Sequence, residues 1–388
     1  MTQKRIGLLI GREWSWPSAI MAEVNRRSSR VTAELVKLSG VKTNDVLGYD
    51  VIVDRMSHEI PFYRAVVKYA AMQGCVVLND PYTWSIDDKF YGLSLVAQLG
   101  MKIPRTLILP NKTVEADTVP ESFRNLSYPL DWEGVIGYVG VPAIFKDAIT
   151  GGRRISYRVH NVDELIDRYD QSHTLTMILQ EIVPAEKHIH CFVIGGDNVL
   201  PLEFSLEKKT YQIETPGLDA DLLARIRADA STITRAFGYD INMVEFALAD
   251  GTPYVINPTN PSPAMDVNLM GAAAFHWCVE QSAALAIDCA LNPRPRATRH
   301  GGRRSTVKSS VPYTVSISAV FFAGGDQTRL VAVRQLAVVV RLTGRDIIAA
   351  LIVDMSTILA KQDSPGMMFL PRNVTDARRH EGKRDDVT

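Results

Sequence analysis

Met243-Val244-Glu245-Phe246-Ala247-Leu248-Ala249-Asp250-Gly251-Thr252-Pro253-Tyr254-Val255-Ile256-Asn257-Pro258-Thr259-Asn260 is the stretch whose reading decides the fold. Two apolar runs, 241–249 and 253–257, flank Asp250-Gly251, a strong two-residue turn signal, and are expected to pair as antiparallel strands. Glu245 stands inside the first run, where a carboxylate is out of place unless it faces a polar cleft. Asn257 comes twelve residues later on the partner strand, and Asn260 lies in the Pro-rich loop beyond it. One carboxylate and two amides converging across a hairpin supply the hard oxygen donors that Mg²⁺ takes. A polar turn after a strand is the plainer reading of the same residues.

Working outward, 131–290 reads as α+β. A helix over Asp131–Val139 and a strand over Ala143–Lys146 precede a glycine-containing loop and a helix over Val162–Tyr169. Strands at 176–181, 188–195 and 198–204 follow, then a helix over 219–237, the hairpin, and a closing helix over 270–290. The first 109 residues alternate strand and helix: a buried strand at Ile6–Ile10, a helix over 17–29 opening with Pro17, and a strand at Asp50–Asp54. After these come a helix from Pro61 to Gly74, a strand at Cys75–Leu78, a helix over Asp87–Gly100 and a strand at Arg105–Leu109. Such alternation predicts a parallel sheet with helices on its faces. Residues 110–130, polar and Pro-rich, read as a domain junction. Gly7 and Gly11 do not form the G-x-G-x-x-G turn of a dinucleotide fold, so no nicotinamide cofactor is assigned.

Further groups suited to a nucleotide triphosphate lie along the same stretch. Lys89 follows Asp87-Asp88 at a helix start, and Lys146 ends an apolar strand. The loop after Lys146 carries Gly151-Gly152, which permit close backbone approach to an anion, and then Arg153 and Arg154. Gln180-Glu181-Ile182-Val183 ends a strand and offers backbone partners to an adenine edge, and Glu186 can accept from a ribose hydroxyl. Each has a plain alternative: a solvated lysine, a hairpin turn, a segment that only pairs in its sheet.

The ordered set resembles the ATP-grasp family, in the branch of the ribosomal-protein glutamate ligases and glutathione synthetases. It comprises Asp88-Lys89, Pro142-Ala143-Ile144-Phe145-Lys146 with its glycine loop, Gln180–Val183, Ile194-Gly195-Gly196, Met243–Phe246, Tyr254–Asn257 and Asn260-Pro261. The resemblance spans 1–290. It implies a Rossmann-like domain over 1–110 and a two-subdomain ATP-grasp fold over 111–290, closing on ATP. Lys89 and Lys146 then match the phosphate-contacting lysines, Glu181 and Val183 the adenine hinge, Glu186 the ribose acid, and Glu245, Asn257 and Asn260 the metal set for Mg²⁺ or Mn²⁺.

Three features depart from the family, the first being the loop after Lys146, where Arg153 and Arg154 follow the glycines directly. Asn257 stands where an acid is usual, which weakens a second metal site. His190 stands where Arg is frequent, so charge there is partial and pH-dependent; His188, on the same strand face, is read as structural. The implied activity is an ADP-forming ligase that joins a small carboxylic acid, amino acid or peptide to an amine or thiol through an acylphosphate, with Lys146 and His190 as catalytic groups. Arg55, His58 and Tyr63 are candidates for the substrate wall. A non-catalytic ATP-binding protein of the same descent and a phosphotransferase are the rival readings.

Across 388 residues, 43 basic and 43 acidic side chains balance, which gives no general warrant for binding nucleic acid or membrane. The balance conceals a divide. Residues 1–290 carry 27 basic and 35 acidic groups, whereas 291–388 carry 16 and 8, so the last part is a basic extension, expected to be loosely ordered. Contact with nucleic acid is expected only through that extension. The four cysteines, in apolar stretches with no C-x-x-C spacing, read as buried reduced thiols. Without a signal-peptide pattern or a 20-residue apolar span, a cytoplasmic protein is expected, with homo-oligomerisation the common case.

Overall fold

The computed structural model describes residues 3–83, 88–114, 124–149, 155–212 and 217–292, with four two-residue strands beyond them. Two compact units divide the chain, Met1–Ala297 and Thr298–Thr388.

The first unit begins with β1 (Lys4–Leu9), α1 (Ser15–Arg27), β2 (Val31–Leu35), β3 (Val51–Asp54), α2 (Pro61–Gln73) and β4 (Val76–Leu78). These strands form a parallel sheet in the order β2-β1-β3-β4. Every residue of β3 is buried because helices cover both faces, and so the strand is continuously apolar up to Asp54. Helix α2 starts on Pro61 and ends at Gly74 in the left-handed conformation (φ 102), the two signals that delimit it in the sequence.

Helix α3 (Lys89–Gln98) is capped by Asp88, whose carboxylate accepts from the backbone N–H groups of Phe90 and Tyr91. The second sheet comprises β5 (Thr106–Leu109), β6 (Ala143–Asp147), β7 (Ser156–Val159) and β8 (Met177–Glu181), antiparallel in the order β5-β8-β6-β7. Helices α4 (Trp132–Val139) and α5 (Val162–Asp170) pack on it around Phe145, Leu165 and Leu179. A division at residue 110 would leave β5 with the first sheet, but its ladder with β8 places it in the second.

The third sheet, order β11-β10-β9-β12-β13, is built from β9 (Lys187–Ile194), β10 (Asn198–Ser205), β11 (Thr210–Tyr211), β12 (Ile241–Ala249) and β13 (Thr252–Asn257). The β12–β13 turn has Asp250 and Gly251 both at positive φ (49 and 67), the two-residue geometry that Asp-Gly encodes. Helix α6 (Ala220–Phe237) covers one face of this sheet through Ile226, Ile233 and Phe237. On the other face, α7 (Val267–Leu291), interrupted at Gly271 (φ 76), joins a core shared with α1, β1 and β3. The final helix therefore ties the third sheet to the first.

Strands β2, β7 and β11 have no counterpart in the sequence reading. Strand β2 carries Thr32, Ala33 and Glu34, β7 is a largely exposed edge, and β11 has only two residues. Of the four thiols, Cys191, Cys278 and Cys289 are buried and Cys75 half-buried; burial pushes Cys75 and Cys278 up to about 12. No helix among the described residues is long and apolar enough to cross a membrane. In the second unit, Thr314–Val315 pairs antiparallel with Val340–Arg341, and Gln335–Leu336 with Val353–Asp354. The expectation of a loosely ordered extension otherwise falls outside the described residues.

Candidate functional site

Glu245 lies at the centre of the convergent groups. Its strand β12 sits between β9 and β13, and the register places Glu245 opposite both His190 and Asn257. An irregularity between Glu245 and Phe246 shifts the β12–β13 pairing at this point, as bulges do beside sites. The Asn257 amide nitrogen donates to Glu245 Oε1 at 3.0 Å, which turns its oxygen away from that carboxylate. His190 Nε2 stands 3.9 Å from Glu245 Oε2.

From the second sheet, the ammonium of Lys146 enters the same field. Burial lowers its pKa from 10.5 to about 8, with Glu245 opposing the fall and Lys89 adding to it. Lys146 Nζ donates to Gln180 Oε1 at 2.8 Å, and Gln180 Nε2 in turn donates to Thr106 Oγ1 at 3.2 Å. Lys89, at the first turn of α3, donates from Nζ to the carbonyls of Asp147 (2.8 Å) and Ile149 (3.2 Å). Its backbone N–H also bonds the carbonyl of Ala148 at 2.8 Å. Both lysines are thus fixed at the end of β6, where the chain enters the glycine loop. Gly151, Gly152, Arg153 and Arg154 lie outside the described residues.

His190 is buried, stacked on Phe204 with ring centroids 4.6 Å apart, and its Nδ1 lies 3.1 Å from the hydroxyl of Tyr211. Burial lowers its pKa despite the attraction of Glu245, which disfavours the charged imidazolium. His188 is lowered for the same reason.

The remaining candidates occupy the edges. Glu181 holds Arg105 in a two-point ion pair (2.8 and 3.1 Å), and the hydrogen bonds from Arg105 keep its carboxyl below the usual range. Val183 offers its carbonyl to Ala185 N–H at 2.8 Å in a tight turn. The carboxylate of Glu186 accepts from Asp250 N–H at 3.3 Å, so it faces the β12–β13 turn. Asn260 acts through its backbone: its N–H donates to Asn242 Oδ1 (2.8 Å) and its carbonyl accepts from Met243 (3.0 Å).

Gln180, quoted in the sequence only as part of a strand end, is the residue that reasoning from sequence missed. It is diagonal to Lys146 across the β6–β8 ladder, because Ile144 pairs with Gln180 and Lys146 with Ile178. That relation exists only once the register is known.

Among the described residues, no three His, Cys, Asp or Glu side chains gather into a metal cluster. Glu245 beside Asn257 fits a Mg²⁺ ion once the Asn257 amide turns its oxygen in place of its nitrogen toward the carboxylate, since Mg²⁺ takes one or two protein carboxylates and completes its shell with phosphate oxygens and water.

No family model matches the sequence, and no curated protein does. Solved structures do match. An ATP-grasp RimK domain protein from Sphaerobacter thermophilus superposes at TM-score 0.55 with 17% identity, over 74% of this chain and 99% of that one. D-alanine–D-alanine ligase from Bacillus anthracis, complexed with ATP, matches at TM-score 0.51 and 16% identity, over 74% and 97%. The ATP-grasp ligase PsnB, complexed with a variant of its minimal precursor, Mg and ADP, matches at 0.52 and 15%, over 74% and 100%. The chain has the ATP-grasp fold.

Proposed function

We propose that the chain is an ATP-dependent, ADP-forming carboxylate–amine or carboxylate–thiol ligase. The observation that carries this is that Lys89 is bonded to the carbonyls of Asp147 and Ile149, just after Lys146 at the end of β6, while Glu245, far away in sequence on the third sheet, is near enough to act on the Lys146 ammonium. Two ammonium groups and a carboxylate beside amide oxygens are complementary to a metal–triphosphate, which neither a structural ion pair nor a solvated surface requires. The matched D-alanine–D-alanine ligase and PsnB are ligases by their names, and the reading extends that chemistry to this chain.

In this reading Lys89 and Lys146 hold phosphate oxygens, while Glu245, Asn257 and Asn260 hold Mg²⁺, or Mn²⁺ in its place. The metal supplies Lewis-acid neutralisation of phosphate charge. The backbone of Glu181 and Val183 faces the adenine, and Glu186 turns from Asp250 to the ribose. Lys146, already deprived of water, neutralises charge that grows on a phosphoryl group passing to the substrate carboxylate, where preorganised charges act most strongly. Burial disfavours the charged form of His190, whose polar neighbours are Tyr211 and Glu245. His190 therefore orients groups by hydrogen bonding instead of supplying a fixed positive charge. We place the divisions of function just before β5 and near residue 290, with a small carboxylic acid, amino acid or peptide as substrate of a cytoplasmic enzyme.

The test is release of ADP and free phosphate by the full chain with Mg²⁺, ATP and pooled carboxylic acids and amines. Pool-dependent release of both, reduced at least about 100-fold in Lys146→Ala, is expected from the loss of a preorganised charge. Release of ADP without free phosphate identifies a phosphotransferase instead. ATP binding without turnover favours the non-catalytic reading, for which the amide at 257 and the burial of His190, which disfavours its charged form, are the specific observations.

A further inference from the structure

The parallel sheet changes direction between β1 and β3: the chain leaves β1 for β2 on one side and later takes up β3 on the other. Open α/β sheets bind ligands at the carboxyl ends of the strands flanking such a switch. Glu13 follows β1 and Arg55 follows β3 at those ends. Asp54 fixes the loop, accepting from the N–H groups of Met56 (3.0 Å) and Ser57 (2.9 Å), and Arg55 N–H bonds the carbonyl of Leu9 at 2.9 Å.

Arg55 is 5% exposed, and most of its side-chain surface is engaged. Its Nε donates to both oxygens of Glu13 (2.7 and 2.8 Å), Nη2 donates to the carbonyl of Pro263, and the guanidinium lies 4.8 Å above the Trp16 ring. Arg55 Nη1 is buried with no partner. The indole Nε1 of Trp16, beneath that guanidinium, is also buried and unpaired, as is the hydroxyl of Ser262, the residue preceding Pro263. An unmade hydrogen bond on a buried group costs about 1–3 kcal/mol. Arg55 lies on Trp16 and bonds the residue that follows Ser262, so the three unmade bonds belong to one set of contacts, as expected where a group the chain itself does not contain is to be held.

The donors specify that group. A guanidinium edge and an indole N–H only donate, and a hydroxyl can donate, so the complement is an acceptor-only group. Glu13 already balances the charge of Arg55, so the remaining donors suit an acceptor carrying no more than one negative charge and disfavour a doubly charged phosphate. The loop bearing Ser262 continues from Asn257 and Asn260, and the Asn260 carbonyl holds Met243, two residues from Glu245. The unpaired donors are thus linked to the proposed reaction centre by a short, hydrogen-bonded path.

We propose that Arg55, Trp16 and Ser262 form a carboxylate-binding subsite that anchors a substrate carboxylate other than the one activated. That carboxylate belongs either to a dicarboxylic donor or to an amino-acid acceptor. The role assigned to it rests on the ligase reading; the subsite itself stands on its own geometry.

The test uses the full chain with ¹⁵N-labelled indoles, where Trp16→Phe assigns the Trp16 resonance by its disappearance. Amino acids, α,ω-dicarboxylates and their amides, and sodium phosphate are titrated in turn. We expect saturable movement of the Trp16 indole signal by at least one carboxylate and none by its amide. Affinity should fall about tenfold in Ser262→Ala, the 1.4 kcal/mol of one charge-assisted hydrogen bond. A dicarboxylate moving the signal identifies the donor as the source, and a monocarboxylic amino acid the acceptor; either supports the subsite. No movement by any carboxylate, equal movement by phosphate, or unchanged affinity in a folded Ser262→Ala overturns it. No turnover is read, so the ligase proposal can fail in the product-release assay while the subsite stands, and the reverse.

Discussion

Lys146 gives up its proton more readily than a lysine in water because burial and the neighbouring Lys89 both disfavour its charge. Between about 8 and 10.5 the unfolded chain carries that proton and the folded one does not, so folding of the ligand-free protein gains from this group as pH rises through that window. Binding of phosphate runs the other way, since it needs the charged form. The rise in melting temperature on adding ATP and Mg²⁺ is therefore expected to shrink above pH 8, and to be small at every pH in Lys146→Met, as thermal shift measurements across pH will show. At residue 257 the amide is a donor to Glu245. Asn257→Asp replaces that donor with a second carboxylate, leaving two like charges in contact. Without metal the variant should lose about 1–3 kcal/mol, and Mg²⁺ should recover most of the loss. Denaturant unfolding with and without Mg²⁺ separates the two terms, and equal loss in both conditions would argue against a metal at this position.

At the scale of elements, Asn79 joins the end of β4 to the start of β12. Its oxygen accepts from Asp240 (2.6 Å) and Ile241 (2.7 Å), and its amide donates to the carbonyls of Ile241 (2.8 Å) and Pro261 (3.3 Å). The side chain is 1% exposed, so water cannot replace those bonds. Asn79→Ala should cost about 3 kcal/mol or more in denaturant unfolding, from backbone groups left unpaired. It should also weaken ATP binding, because Pro261 is in the loop after Asn257; unchanged binding in the folded variant would separate the clamp from the site. Strands and helices with strong local signals were legible in the sequence: Pro61 and Gly74 bound α2, and Asp250-Gly251 sets the β12–β13 turn. Lys89, Lys146 and Glu245 were legible as residue types suited to a triphosphate, placed on the ends or interiors of elements. Their convergence was implied only by the resemblance and by no local pattern, since it depends on how two sheets face each other. Gln180 and Asn79 escaped for the same reason: each acts through a residue at least 34 positions away, and no local pattern encodes such a partner.

For the whole molecule, the question is how much of the chain the fold requires. The four core clusters of the described residues extend from Ile6 to Ala290. The largest closes on itself: α7 returns to pack with α1 and β1, so the third sheet and the first share one interior. Ser15 adds a polar tie, donating to Asp266 Oδ2 at 2.8 Å and linking the start of α1 to the cap of α7 across 251 positions. Cutting within α7 would open that interior, whereas ending the chain at Ala297 keeps every cluster member. Residues 1–297 expressed alone are accordingly expected to unfold cooperatively and to show the same ATP-induced rise in melting temperature as the full chain. A chain ending before Cys278 should lose both properties, because Cys278, Ala283, Ala286 and Cys289 are 0–1% exposed in that core and their removal uncovers apolar surface of α1 and β1. If the 1–297 chain binds ATP more weakly than the full chain, residues 298–388 contribute to the nucleotide site, and the contact-defined unit is not the functional one.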